Sequence, residues 1–152
     1  MPYLIDGNNL LGVVLHRRRG DPETRSRLVS SLSRFARTKG CRILLFFDGP
    51  KEYDLFPLAS DLELFFSQER EADELILETL ESSRNWGETL LVSADRELIN
   101  YARGRKVSVL SPRSFFDQLL RFERGALVDA KPEPPLSERD LLQWQRLFSR
   151  QW

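Results

Sequence analysis

Thiol and imidazole chemistry are almost absent from this 152-residue chain, which carries one cysteine, Cys41, and one histidine, His16. A lone cysteine closes no internal disulfide, and one Cys with one His provides neither a zinc ligand set nor a Cys-His nucleophile pair. Cys41 is expected to be a small core residue where a strand begins. No apolar run approaches the ~18 residues that span a bilayer. The first residues lack the basic-then-apolar layout of a signal peptide, so a cytoplasmic protein with no membrane partner is expected. Net charge is missing too, because 23 Lys and Arg balance 23 Asp and Glu. Neither G-x-G-x-x-G nor G-x-x-x-x-G-K-[ST] occurs, which argues against dinucleotide and P-loop sites. There is no internal repeat and no low-complexity segment.

What is present suits one domain: 41% hydrophobic residues are enough for a sizeable core in a chain of this length. The balanced charge is unevenly spread. Basic residues dominate from 17 to 42 (Arg17, Arg18, Arg19, Arg25, Arg27, Arg34, Arg37, Lys39, Arg42), whereas Glu52 to Glu97 is heavily acidic. Such a split suits a basic surface for a polyanion beside an acidic centre that needs cations, although two ordinary solvated faces would give the same pattern.

Strand and helix signals alternate along the chain. Tyr3 to Ile5 is apolar on both faces, as a central parallel strand requires, and its carboxyl end is Asp6. A short helix or turn then runs to Leu15, followed by the basic loop HRRRGD. Asp21-Pro22 pairs an N-cap with proline at N1, opening a helix whose apolar face is Leu28, Val29, Leu32, Phe35 and Ala36 and which stops near Gly40. Ile43 to Phe47 repeats the first strand's layout, with Asp48 at its end, and Leu62 to Phe66 is expected to be a third, shorter strand after a loop over residues 51–61. In EREADELILETLES the spacing of Ala72, Leu75, Ile76 and Leu80 predicts a helix, with Glu71, Asp73 and Glu74 in its first turn. Thr89 to Val92 and Lys106 to Leu110 read as further strands, with Asp95 and Ser111 as caps of the helices that follow. Such alternation implies βαβ units and a mostly parallel sheet covered on both faces, an α/β architecture. Residues 1–123 are expected to form this domain. Residues 124–136 read as a linker, and Ser137 to Asp140 as the start of a last helix with the stripe Leu141, Trp144, Phe148 and Trp152, packing on the domain or on a partner.

Four acids, Asp6, Asp48, Asp73 and Asp95, stand where strands hand over to loops or helices. In open α/β sheets ligands bind beyond the strand carboxyl ends. Carboxylates about 5 Å apart repel by several kcal/mol at an effective dielectric of ~20, so such a cluster must be protonated, dispersed or neutralised by cations. Mg²⁺ or Mn²⁺ is the economical partner, since hard ions take oxygen ligands and activate water for phosphodiester chemistry without a His or Cys nucleophile. Asn9 is placed to orient a carboxylate or touch phosphate. Taken singly each acid has a plain alternative: Asp6 in a turn, Asp73 favoured by the helix dipole, Asp95 a simple N-cap.

YLIDGNNLLG, LLFFDG, the Ala-Asp pair of READELILE and LLVSADRELINYA together resemble the YacP-like branch of the NYN domains, relatives of the PIN-domain nucleases. The resemblance runs in order from Tyr3 to about Phe116. It implies a three-layer α/β/α sandwich with central strand order 3-2-1-4-5 and metal-dependent endoribonuclease activity. Matched residue by residue, it implies metal and catalytic roles for Asp6, Asp73 and Asp95, a further metal-site carboxylate at Asp48, and supporting roles for Asn9 and for Ser93 as a hydroxyl. Glu71 stands where the family often has a hydroxyl residue, adding negative charge or capping the helix, and Glu74 is a neighbouring supporting acid. The fourth acid of many PIN domains has no clear counterpart, Asp117 being a poor candidate inside the last sandwich helix.

RNA, free or on the ribosome, is the expected partner, with Arg17, Arg18 and Arg19 holding its phosphates. A receiver-like or phosphatase-like protein would also gather acids around Mg²⁺, but there is no Asp-x-Asp pair after the first strand and no lysine at the end of the fifth. The alternative of another class is a non-catalytic RNA- or ribosome-binding module on the same fold, for which the acid set would serve no purpose because it repels the phosphate backbone.

Overall fold

In the computed structural model, residues 2–15, 22–51, 61–82 and 89–127 are described. The strands are β1 (Pro2–Asp6), β2 (Arg42–Phe47), β3 (Leu62–Phe66), β4 (Leu90–Val92) and β5 (Ser108–Leu110). Between and after them run α1 (Gly7–Leu15), α2 (Pro22–Lys39), α3 (Ala72–Ser82), α4 (Arg96–Gly104) and α5 (Pro112–Leu127). All pairings are parallel, and the sheet order is β3-β2-β1-β4-β5. The expected three-layer α/β sandwich and its strand order are therefore observed.

Side-chain alternation divides the core into two. Ile5, Ile43, Leu45, Phe47 and Val92 pack against α1, α2 and α5 through Leu10, Leu11, Leu32, Phe35, Phe115 and Leu119. Leu4, Phe46 and Leu91 point the other way, onto Ile76 and Leu80 of α3 and Leu98 and Ala102 of α4. This is why β1 and β2 carry no polar face: both sides of each are covered. The first half-core holds edge-to-face ring contacts of Phe35 with Tyr3, Phe115 and Phe122. Beside it the buried carboxylate of Glu123 accepts hydrogen bonds from Ser31 at 2.6 Å and Arg34 at 2.9 Å, tying α5 to α2. Cys41 is buried immediately before β2, as expected.

Two boundaries differ from the sequence reading by more than one residue. The fifth strand begins at Ser108 and not at Lys106, because Lys106 takes a left-handed φ of 61° in the turn closing α4, where its N–H reaches the Arg103 carbonyl at 3.2 Å. Helix α5 continues through Leu127, so residues 124–127, expected to begin the linker, are helical. Arg17 to Arg19, the Asp21 cap, the loop over 52–60, and the last helix with Leu141, Trp144, Phe148 and Trp152 lie outside the described residues. Among the described residues no helix is long and apolar enough to cross a membrane.

Candidate metal and active site

β1 ends in the middle of the sheet with Asp6 level with Phe46 of β2, and the chain turns at once into α1. Gly7 makes that turn possible. A Cβ there would lie 2.5 Å from the Phe47 ring and 2.8 Å from the Phe46 carbonyl oxygen, closer than atoms of these kinds approach one another. Consecutive helical residues point about 100° apart, so Asn8 and Asn9 diverge to the two strands that flank β1. The Asn8 side-chain oxygen accepts the Asp48 N–H at 2.8 Å beyond β2. That of Asn9 accepts the Ala94 N–H at 2.7 Å beyond β4. The pair thus fixes both neighbouring strand ends to the central one.

Each acid is held by a backbone amide or by a helix. Asp6 Oδ1 accepts the Asn9 N–H at 3.3 Å. Asp48 Oδ1 accepts the Ala72 N–H at 2.6 Å and so caps the start of α3. Asp95 is the N-cap of α4, accepting the Leu98 N–H at 3.0 Å, while its own N–H donates to the buried Ser93 hydroxyl at 3.1 Å. Ser67, buried after β3, accepts the Gly49 N–H at 3.0 Å and steadies the turn behind Asp48. Asp73, in the first turn of α3, is the exception: its Oδ1 is buried with no hydrogen-bond partner.

These side chains converge. Asp6, Asn8, Asn9, Asp48, Glu71, Ala72, Asp73 and Asp95 line one cavity of about 150 Å³. The capping alternatives for Asp48 and Asp95 are therefore real and compatible with a site, since a cap uses one carboxylate oxygen and leaves the second. Asp6, only 5% exposed, has its pKa raised to about 6. Burial is the main cause, offset partly by the Asn9 amide and reinforced by the charges of Asp48 and Asp73. The Glu71 carboxyl is also pushed up, first by the charge of Asp73 and then by a hydrogen bond to it. The repulsion expected between clustered acids is thus present in the folded chain.

Among the described residues no three acidic, His or Cys side chains form a ready-made coordination set. The cavity is an open basin of carboxylate and amide oxygens, which fits an ion that keeps several waters and completes its shell with substrate phosphate. The orphaned oxygen of Asp73 and the raised Asp6 pKa both mark where a positive charge would be stabilising.

Of the acids singled out from the sequence, Asp6, Asp48, Asp73, Asp95 and Glu71 meet in the basin together with Asn9, and Ser93 stands behind Asp95. Glu74 does not line it. Its carboxylate pairs with Arg70 at 3.1 Å, and Arg70 also binds Glu78. Asp117 lies on α5 and faces Arg113 at 3.8 Å. The sequence did not reveal Asn8 or Ser67. Asn8 sits beside Asn9 in a cluster that reads as a turn, and nothing in the local sequence tells which strand either amide reaches.

A five-stranded parallel sheet in this order with acids at its carboxyl edge is a PIN-like, nuclease-type architecture. The profile of the YacP-like NYN domain matches residues 3–144, and the chain belongs to that family. Solved structures share the fold. Rae1 (YacP) from Bacillus subtilis superposes with a TM-score of 0.68 at 19% identity, over 84% of this chain and 78% of that one. A tryptophan-to-leucine mutant of it gives 0.66 at 20% identity, over 81% and 77%. No curated protein matches this chain significantly.

Proposed function

We propose that this protein is a metal-dependent endoribonuclease that hydrolyses RNA phosphodiester bonds with water as the nucleophile. The observation that supports it most directly is the buried, unpartnered Asp73 oxygen in a basin shared with Asp6, Asp48 and Asp95. Burying an acceptor with no donor costs about 1–3 kcal/mol, and a bound cation removes that cost. Bound there, Mg²⁺ or Mn²⁺ would lower the pKa of water and balance charge developing on phosphate oxygens.

The chain's own groups do the rest. Asp6, Asp73 and Asp95 would hold the cation beside the reacting phosphate, Asp48 would add a fourth carboxylate, and Asn9 and Ser93 keep the β4 end in place. Glu71 adds acceptor capacity at the rim. Arg17, Arg18 and Arg19 take RNA phosphates, and a cytoplasmic location goes with this reading. Residues 1–123 carry the nuclease, with the stretch beyond α5 packing on it or on a partner. A non-catalytic RNA-binding module has no use for a basin that repels the phosphate backbone.

The test is incubation of purified protein with labelled single-stranded and structured RNAs in Mg²⁺, Mn²⁺ or EDTA. Cleavage should require the ion and leave 5′-phosphate and 3′-hydroxyl ends, because water attacks and not the ribose 2′-hydroxyl. Asp73→Asn and Asp95→Asn should lower the rate by orders of magnitude while RNA binding in EDTA holds or rises slightly, one negative charge having been removed. Full cleavage by folded Asp95→Asn protein would sink the mechanism.

A further inference from the structure

A second cavity of about 610 Å³ opens directly beside the acidic basin, with Asn8 and Asn9 forming part of both walls. Its other lining residues are Gly12 and Val13 of α1, Ala94 before α4, and Ser111, Pro112 and Arg113 at the start of α5. Most of this surface is apolar and small. Arg113 provides the positive charge.

We propose that this cleft holds the nucleotide next to the scissile phosphate, with base and ribose against Val13, Ala94 and Pro112 and the adjoining phosphate on the Arg113 guanidinium. The inference rests on the ribonuclease reading and adds the direction in which the RNA leaves the basin.

Three observations carry it. The cleft shares its Asn8 and Asn9 wall with the basin and, at about 610 Å³, lies within the ~300–1,000 Å³ of ordinary ligand pockets. Charge favours this side over the opposite one: beyond Ala72 the rim is Glu71, and the nearby Arg70 is committed to Glu74 and Glu78. A polyanion leaving five carboxyl groups needs a cation within reach, and across the cleft it meets Arg113. Among the described residues that guanidinium pairs with Asp117, at 3.8 Å with both side chains about half exposed, a surface pair worth ~0–1 kcal/mol and easily exchanged for phosphate. The helix end itself plays no part, because the Ser111 hydroxyl already accepts the Ser114 N–H at 3.1 Å.

The experiment measures binding of a short single-stranded RNA in EDTA across a salt series, and cleavage in Mn²⁺. Arg113→Gln should weaken binding several-fold and make log K less steep against log[salt] by about 0.7, the change for one phosphate of a single strand that is no longer neutralised. Arg113→Lys should restore most of that slope. In cleavage Arg113→Gln should raise KM and spare kcat. Arg103→Gln, which removes one charge from the last turn of α4, should change nothing. Wild-type affinity and slope in Arg113→Gln overturn the cleft, even if cleavage is metal-dependent and abolished in Asp73→Asn. Arg113-dependent binding without any cleavage by the wild type would uphold the cleft as an RNA subsite and sink the nuclease reading instead. Absence of RNA binding by the wild type overturns both.

Discussion

The side-chain oxygen of Asn9 accepts the backbone N–H of Ala94 at 2.7 Å across 85 residues of sequence. One amide thereby sets the end of β4 against the end of β1, and Asp95 is carried into the basin with it. The matching bond from the Asp48 N–H to Asn8 does the same for β2. The carboxylates are thus placed by the amides between them and not by attraction to one another, which their charges would oppose.

The two amides should therefore differ in what their removal does. Asn8→Ala leaves the half-buried Asp48 N–H without its acceptor and should destabilise the fold by ~1–3 kcal/mol. In Asn9→Ala water can reach the more exposed Ala94 N–H, so the destabilisation should be nearer ~1 kcal/mol. Urea titration of both variants reads the difference; equal and negligible effects would show that the strand ends are fixed by the sheet alone.

Asp6 makes stability depend on pH in a definite direction. Its folded pKa, about 6, lies above the ordinary 3.8, so the folded state binds the proton more tightly. The stabilisation is complete below pH ~4 and is lost as pH rises through ~6, for a total on the order of 2–3 kcal/mol. Asp6→Asn keeps the acceptor for the Asn9 N–H and removes the charge. In EDTA it should be more stable than wild type at pH 7–8 and lose that advantage towards pH 4. A difference that stays flat with pH would mean that Asp6 is not the group being strained.

The same strain predicts ion-linked stability. Millimolar Mn²⁺ should raise the wild-type Tm relative to EDTA by binding the native state and not the unfolded one. Asp6→Asn and Asp73→Asn should each remove most of the gain. Identical melting curves with Mn²⁺ and with EDTA would leave the basin without an occupant.

Gly7→Ala tests the turn that brings Asp6 into place. Its methyl group would meet the Phe47 ring and the Phe46 carbonyl at under 3 Å. Overpacking of this kind typically costs ~1–3 kcal/mol. The effect should show in the denaturation midpoint, and cleavage should fall as well, because the backbone must shift at Asp6 itself. Wild-type stability in Gly7→Ala would mean that the Phe47 ring moves aside freely.

The alternation of doubly apolar strands with amphipathic helices was legible residue by residue, because burial on both faces leaves no room for polar side chains in β1 and β2. The proline-led starts of α2 and α5 and the acid-rich start of α3 were legible for the same local reason, as were the four aspartates at strand ends. Periodicity could not give the end of α5, since Gly125 reads as a helix stop whereas the helix runs through it to Leu127. It also could not exclude Lys106 from β5, whose turn depends on carbonyls at the end of α4.

Which acids meet was decided only in three dimensions. Asp73 and Glu74 are neighbours in one helical turn and look alike in the sequence, yet one side chain turns into the basin while the other is drawn outward by Arg70. Asn8 and Asn9 are a repeated letter in the chain, yet they reach opposite strands. Sequence alone determined the elements and the chemistry available at their ends, because local burial and capping act over a few residues. Tertiary structure decided which of those groups share a basin and which lie apart, because side-chain direction at a strand end depends on neighbours that the sheet order brings from as far as 85 residues away.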